Sequence, residues 1–99
     1  MNERKKIPLY RGVLKYFPNA LKEVAKVSQA GNDQHHSEKE LHWDKNKSTD
    51  EPDAMLRHLT DHACGIEFDD DGVRHLAKVA WRALAFLERE LSTKDLVNK

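Results

Sequence analysis

The chain has 99 residues, of which 38% are hydrophobic and 34% are charged. This length excludes a two-domain organisation, since single cores occupy roughly 100–200 residues. Seventeen basic residues balance seventeen acidic ones. The positive field that draws proteins onto nucleic acid is therefore missing, and we expect no nucleic-acid polymer as a partner. The mean hydropathy of −0.83 is low, but not low enough to predict disorder throughout. We predict one domain over residues 1–99.

The chain carries no signal for a membrane or for secretion. No apolar run approaches the about 20 residues that a bilayer-spanning helix requires. The first residues, Met-Asn-Glu-Arg-Lys-Lys-Ile-Pro, lack the apolar stretch of a signal peptide. We therefore expect a cytoplasmic location and no membrane partner. Cys64 is the single cysteine, which excludes an internal disulfide, and its apolar-periodic surroundings predict a small buried thiol.

The first half of the chain predicts an arm, a helix and a polar loop. The arm, over residues 1–17, is apolar without a single period, and we expect it to be ordered but irregular. The first helix is predicted over 18–30, with Pro18 in its opening turn and Gly31 as its terminator. Residues 32–49 are almost entirely polar and predict a long loop.

The second half predicts two more helices, which makes the fold class all-α, a small bundle of three main helices. One helix is predicted over 51–64, capped by Asp50 or Thr49 and ended by Gly65. The last is predicted over 72–91. Its periodic stripe should face the core: Val73, Leu76, Ala80, Ala83, Leu84, Leu87 and Leu91.

The last helix is apolar on more than one face. Trp81, Ala85 and Phe86 lie off the stripe. A chain of this length has too little remaining sequence to cover both faces, so burial against another copy is favoured. We expect a homodimer or a higher homo-oligomer.

The most distinctive local feature is the run Arg57-His58-Leu59-Thr60-Asp61-His62. On a helix, His58 and His62 share a face, and Asp61 lies nearly on the same side. This arrangement could present two imidazoles and a carboxylate to a metal ion or a phosphate. The structural alternative pairs Arg57 with Asp61 and leaves both histidines half-exposed.

An acidic loop precedes the last helix, with His75 one helical turn further on. Neighbouring carboxylates repel each other unless a cation or a basic side chain compensates. Mg²⁺ is the cation that such oxygen-rich sites usually hold, together with substrate phosphates. In the alternative, Asp70 or Asp71 caps the helix and the other acids are solvated. The acidic residues are Glu67, Asp69, Asp70 and Asp71.

Two further features have both a structural and a functional interpretation. Glu23 and Lys26 are spaced either as a surface ion pair or as a metal ligand and a phosphate contact. Trp43 is a large aromatic residue in a polar loop, where it either fills the core or stacks on a ligand. Glycine-rich nucleotide loops, nucleophile elbows and zinc-protease motifs are absent, which leaves metal-assisted chemistry or binding alone.

Four blocks follow one another over roughly residues 17–88. They are Pro18 to Val27 followed by Gly31, the pair His42-Trp43, Met55 to Leu59 ending at Gly65, and Asp69 to Glu88 with Gly72 and His75 in step. In this order they resemble a phage and bacterial family described as dATP/dGTP diphosphohydrolases, which is related to the MazG-like all-α nucleotide pyrophosphohydrolases.

The resemblance implies a self-associating helical fold and Mg²⁺-dependent hydrolysis of a (deoxy)nucleoside triphosphate, such as dATP or dGTP, to monophosphate and pyrophosphate. In that chemistry the metal lowers the pKa of a bound water, and a carboxylate takes its proton. The candidate catalytic residues are Glu23, His58 and Asp61. The candidate metal ligands are Glu23, Asp69 and Asp71, and the candidate substrate contacts are Lys26, Trp43, Arg57, His62 and His75.

Two alternatives stay open. The paired Glu-x-x-Glu and Glu-x-x-Asp clusters of MazG-like enzymes do not occur at the matching places, so the chain is alternatively an inactive relative or a small non-catalytic interaction protein. The second alternative is a His-Asp metal phosphohydrolase, but the absence of a His-Asp dipeptide disfavours it. Its candidate residues are His58, Asp61, His62, Asp71 and His75.

Overall fold

The chain folds into an all-α structure in the computed structural model, which describes residues 3–35, 40–45 and 50–97. Its helices are α1 (Pro18–His35), α2 (Glu51–Ala63) and α3 (His75–Val97). A short 3₁₀ turn, Glu3–Lys6, and a π-helical turn, Tyr10–Leu14, precede them. Within the described ranges, extended pairing is limited to one isolated bridge between Phe68 and Arg74. The predicted fold class is confirmed.

None of the helices in the described part of the chain combines the length and the apolar composition that a membrane crossing requires. Over residues 3–17 the arm contains these two short turns, and its large apolar side chains are exposed. Among the described residues, α2 and α3 form the main helix pair, and α1 packs on α3.

Helix α1 continues past its predicted end. Gly31 lies inside the helix instead of ending it, so the predicted polar loop begins later than residue 32. A helical glycine costs only about 1 kcal/mol relative to alanine. A tertiary contact stabilises the extension: Asn32 is buried, and its Oδ1 accepts a hydrogen bond from the His42 backbone N–H at 3.2 Å. Residues 36–39 and 46–49 of the predicted loop, including Thr49, lie outside the described residues.

Helix α2 has nearly its predicted bounds, with Asp50 as the N-terminal flanking residue and Pro52 in the first turn. At its C-terminus, the backbone N–H of Gly65 donates to His62 O at 2.9 Å and that of Ile66 to Asp61 O at 3.0 Å. This is the Schellman arrangement, in which glycine occupies the residue with positive φ; φ of Gly65 is +90°. Cys64, beside it, is exposed, so the predicted buried thiol is wrong.

Gly65 and Gly31 should respond to alanine in opposite directions. Gly65→Ala places a Cβ on a residue with positive φ and should lower the free energy of unfolding by about 1–2 kcal/mol. Gly31→Ala adds a Cβ with no neighbour within 4 Å on a helical residue. It should raise the free energy of unfolding by about 0.5–1 kcal/mol. Urea denaturation followed by circular dichroism measures both, and equal effects would contradict the two assignments.

The inner face of α3 differs from the predicted one. The buried hydrophobic residues are Ala54 of α2, Ala77 and Ala85 of α3, and Val73 just before α3. Of the predicted stripe, only Val73 is buried; Leu76, Leu84, Leu87 and Leu91 are each about half exposed. The face directed at α2 carries small side chains and long cations instead. The leucines of the predicted stripe therefore lie on an outer face of this chain.

An ion-pair cluster joins the start of α2 to α3. Glu51 is 2% exposed, although it is a charged residue in the first helical turn. Its Oε1 lies 3.7 Å from Arg82 Nη1, and its other carboxylate oxygen pairs with Arg89. Arg82 Nη1 also lies 3.9 Å from Asp50 Oδ1. Buried carboxylates persist when cations of this kind compensate their lost hydration.

Candidate functional site

A half-open cleft of about 850 Å³ lies between the C-terminal half of α1, residues 41–44 and the inner face of α3. Ligand sites for small molecules have volumes of about 300–1,000 Å³ and combine apolar walls with a few polar groups. Its lining has an aromatic end, formed by Trp43 and Trp81, and a charged end, formed by Lys78, Asp69 and Asp71. Arg82 lies beside the aromatic end, with its guanidinium carbon 5.7 Å from the centroid of the Trp81 ring.

Two tryptophans form the aromatic end. The rings of Trp43 and Trp81 meet edge to face, with centroids 5.4 Å apart and an interplanar angle of 76°. The indole N–H of Trp81 donates to Ser28 Oγ at 2.8 Å, which fixes that ring against α1. The Trp43 ring also lies 5.3 Å from Lys45 Nζ. Trp43 is half-buried and lines the cleft, so it packs on Trp81 and also presents surface to the cleft.

At the charged end, Lys78 lies between two carboxylates. Its Nζ donates to Asp69 Oδ2 and to Asp71 Oδ2, both at 2.7 Å. Burial alone would lower the pKa of Lys78, but the hydrogen bonds to the two carboxylates outweigh it and raise the pKa. The hydrogen bond from Lys78 lowers the pKa of Asp69. Burial opposes the shift at Asp71, where Lys78 and the Val73 N–H still lower the pKa.

The acidic loop holds these carboxylates through its own backbone. The Val73 N–H donates to Asp71 Oδ1 at 3.0 Å, and the Asp69 N–H donates to Val73 O at 2.9 Å. Gly72 takes a φ of +82° at the turn. Because α3 begins at His75, neither Asp70 nor Asp71 caps it, and the capping alternative is wrong. A basic side chain, Lys78, compensates the repulsion instead.

The ion pairs of Lys78 with Asp69 and Asp71 should make the free energy of unfolding depend on pH. A carboxylate whose folded-state pKa is lowered adds stability above its unfolded pKa of about 4, and this stability is lost as the pH falls through the folded pKa. The free energy of unfolding should therefore fall as the pH drops below about 4, and Asp71→Asn should flatten that dependence. Urea denaturation between neutral and strongly acidic pH measures it. Asp70→Asn leaves both Lys78 contacts in place and should keep the wild-type dependence.

Next to the charged end, two histidines and an aspartate lie together. His58 Nδ1 and His75 Nδ1 are 2.9 Å apart, and His75 Nε2 is 3.8 Å from Asp61 Oδ2. His75 is buried, His58 half-buried and Asp61 half-exposed. Burial, reinforced by the positive charge of Lys78, lowers the pKa of His58. His58 is therefore neutral at pH 7 and lines the cleft, with His75 and Asp61 behind it.

Glu23 and Lys26 lie in a different, smaller depression on α1, beside Arg74. Lys26 Nζ donates to Glu23 Oε2 at 2.5 Å, and this hydrogen bond lowers the pKa of Glu23. Arg74 Nε lies 3.3 Å from Glu23 Oε1, and Arg74 also pairs with Glu67. Neither Glu23 nor Lys26 is among the residues that line the larger cleft, so within one chain they lie outside the cleft that Asp69 lines.

Arg57 and His62 point away from the cleft. Arg57 Nη2 donates to Asp50 Oδ2 at 3.2 Å, whereas Asp61 faces His75, so the alternative that paired Arg57 with Asp61 is wrong. His62 is exposed. It lies one turn from His58 on α2, and neither His62 nor Arg57 lines the cleft.

The structure thus brings together part of the predicted set and adds residues that the sequence patterns did not indicate. Trp43, His58, Asp69 and Asp71 share the cleft. Of the additions, Lys78 and Arg82 follow His75 at three and seven residues, so helical spacing placed them on the His75 face. Nothing in the sequence signalled Ser28. The added cleft residues are Ser28, Asn32, Glu51, Lys78, Trp81 and Arg82.

Comparison with known protein families matches residues 2–99 to one family, described as dATP/dGTP diphosphohydrolase, N-terminal. No curated protein and no solved structure matches the chain. The family match extends over the cleft, the acidic loop and all three helices.

Proposed function

Because the chain belongs to the family described as dATP/dGTP diphosphohydrolase, N-terminal, we propose that its cleft binds a purine deoxynucleoside triphosphate and hydrolyses it to the monophosphate and pyrophosphate with Mg²⁺. The observation that carries this proposal is the polarity of the cleft. Two indoles form one part of its lining, and Asp69, Asp71 and Lys78 form another, with Arg82 beside the Trp81 ring. A nucleotide has the same division into an aromatic base and a charged phosphate chain.

The aromatic end provides a surface for the base. Half-buried indole that lines a cleft next to polar groups favours stacking of a planar ring, as in other sites that hold nucleic-acid bases on tryptophan. The Trp81 N–H bond to Ser28 keeps one ring in place before a base arrives. The side chain of Asn32, already bonded to the His42 backbone, keeps residues 41–43 against α1.

The charged end suits Mg²⁺ and phosphate. Asp69 and Asp71 are the residues that would hold the ion, because Mg²⁺ prefers carboxylate oxygens and the phosphates of its substrate. Bound there, Mg²⁺ would neutralise phosphate charge and lower the pKa of a bound water. Lys78 and Arg82 lie on the same wall and can pair with phosphate oxygens. His58, neutral at pH 7, can exchange a hydrogen bond with phosphate or water. Glu23 has no part in this proposal.

Pyrophosphate release from dATP and dGTP, measured with and without Mg²⁺, tests the proposed reaction. Quenching of tryptophan fluorescence by the same nucleotides tests binding separately, because Trp43 and Trp81 are the tryptophans of the chain and both line the cleft. Quenching without pyrophosphate release would favour the alternative of an inactive relative. The absence of both fluorescence quenching and a shift in melting temperature would favour a helical interaction protein.

We also propose that the outer face of α3 packs against a second copy of this chain. Leu76, Leu84, Leu87 and Leu91 are each about half exposed at spacings of three, four and eight residues, as in the seam between two packed helices. Monomers rarely leave a long apolar stripe uncovered. The radius of gyration, 15.3 Å, exceeds the about 13 Å of a compact chain of this length.

Sedimentation velocity should therefore detect a dimer or a higher oligomer of the wild-type chain. Leu84→Glu places a charge in the middle of the stripe and should shift the population to monomer. Asp53→Asn changes the charge of an exposed residue on α2, away from the stripe, and should leave the assembly unchanged. A wild-type monomer at all accessible concentrations would contradict the proposal.

A further inference from the structure

We propose that His58, Asp61 and His75 form a second metal site, separate from the carboxylate pair, for a divalent first-row transition-metal ion such as Zn²⁺ or Co²⁺. One donor atom of each residue lies within 4.8 Å of a donor atom of the other two. The three residues come from facing ends of the α2–α3 pair: His58 and Asp61 lie one turn apart on α2, and His75 is the first residue of α3.

The donor set decides the kind of ion. Two imidazoles and one carboxylate suit Zn²⁺, Co²⁺, Ni²⁺ or Fe²⁺, whereas Mg²⁺ prefers oxygen ligands in an octahedron that keeps several waters. Three protein ligands with a remaining open position are typical of zinc sites that bind a water or another ligand. The two donor sets would therefore bind different ions: Asp69 and Asp71 would bind Mg²⁺, and the histidine cluster would bind a transition-metal ion.

The observed distances require only small movements. Two tetrahedral ligands, each about 2.1 Å from a zinc ion, stand about 3.4 Å apart, and the two Nδ1 atoms are already 2.9 Å apart. The Asp61 carboxylate is half-exposed, so it has room to turn toward an ion, and one of its oxygens lies within 4.8 Å of a donor atom of each histidine. His75 is 3% exposed, which gives the cluster one fixed ligand on which the other two can close.

A hydrogen bond joins the His58 and His75 imidazoles at the place where the ion would bind. At 2.9 Å, one Nδ1 must donate its proton to the other. A metal ion held by both nitrogens takes the place of that proton, and the imidazole that carried it stays neutral with its proton on Nε2 instead. The ion would then link α2 to the start of α3 directly, so it should stabilise the folded chain.

The test is Co²⁺ binding to the full chain after treatment with a chelator, followed by the visible absorption of the bound ion, with Zn²⁺ as competitor. We expect one Co²⁺ per chain, displaced by Zn²⁺, and a higher melting temperature with Zn²⁺. His58→Gln and Asp61→Asn should each weaken Co²⁺ binding at least about tenfold. His62→Gln is the matched control, since His62 is an exposed histidine one turn further along α2, and it should bind Co²⁺ like the wild type.

The proposals for the two metal sites can be tested separately. Asp69→Asn should keep the Co²⁺ spectrum while it loses Mg²⁺-dependent pyrophosphate release, so loss of the proposed reaction does not decide this site. A Co²⁺ spectrum that persists unchanged in His58→Gln and Asp61→Asn would overturn the proposal. So would the absence of any Co²⁺ or Zn²⁺ binding by the folded wild-type chain, or binding that His62→Gln removes.

Discussion

Replacing Asp69 by asparagine should lower Mg²⁺-dependent pyrophosphate release from dATP or dGTP by at least about 100-fold. Asparagine keeps the size of the side chain but removes one of the two negative charges that would hold the cation. The Asp69 N–H bond to Val73 O is a backbone contact, so the loop can keep its course. Steady-state kinetics over a range of Mg²⁺ concentrations would show whether the loss is relieved by more metal.

Asp70→Asn is the control for this prediction. Asp70 is exposed, adjoins Asp69 in sequence and does not line the cleft. The same charge change there should leave the rate within about twofold of wild type, because an exposed charge is largely screened by solvent. An equal loss of rate in the two variants would mean that the rate depends on the total charge of the loop, and it would contradict a metal role for Asp69. Circular dichroism of both variants establishes that the helices are retained.

Glu51→Ala should strongly destabilise the folded chain. The Glu51 carboxylate is 2% exposed and pairs with Arg82 and Arg89. Removing one member of a buried ion pair leaves the others without compensation and costs about 3–5 kcal/mol. A chain of this size has about 5–15 kcal/mol of stability in total. Urea denaturation should therefore show an early midpoint or an already unfolded variant.

Asp53→Ala is the matched control for Glu51. It removes a carboxylate from the same first turn of α2, but Asp53 is exposed, and exposed acids at a helix N-terminus contribute only about 0.3–1 kcal/mol. Salt should also separate the two, because it screens exposed charges far more than buried ones. If Glu51→Ala were no more destabilising than Asp53→Ala, the buried cluster would not be what joins α2 to α3.

Local sequence signals predicted those helix ends that depend on local chemistry. Pro52 and Gly65 predicted the ends of α2 to within a residue, because a first-turn proline and a positive-φ glycine act on neighbouring backbone groups alone. Asp50 flanks the start of α2 as predicted, but its side chain makes no capping hydrogen bond. The prediction that Gly31 ends the first helix was wrong, because the end of α1 does not depend on local chemistry alone. The effect of Gly31 as a helix breaker is small, and the contact of Asn32 with the distant His42 backbone is not visible in a local window.

The candidate site was predictable only in part. The acidic loop indicated a need for positive charge. Lys78 supplies it from α3, and the course of the loop back toward that helix, which places Asp69 and Asp71 on Lys78, is a tertiary feature that helical spacing does not specify. The face of α3 that turns inward depends on how α2 crosses it, which no periodicity specifies. Periodicity predicts the leucine stripe in the core, whereas Ala77, Ala85 and Trp81 face inward.

The ammonium of Lys78 acts as a built-in counter-ion for Asp69 and Asp71. A dication that enters between those carboxylates must first displace it, and the freed ammonium needs a new anion nearby. A triphosphate supplies that anion. We therefore expect free Mg²⁺ to bind weakly and the Mg²⁺–nucleotide complex to bind as one unit, so that metal occupancy follows the nucleotide concentration. Titrations of Mg²⁺ with and without a non-hydrolysable nucleotide would measure this order of arrival.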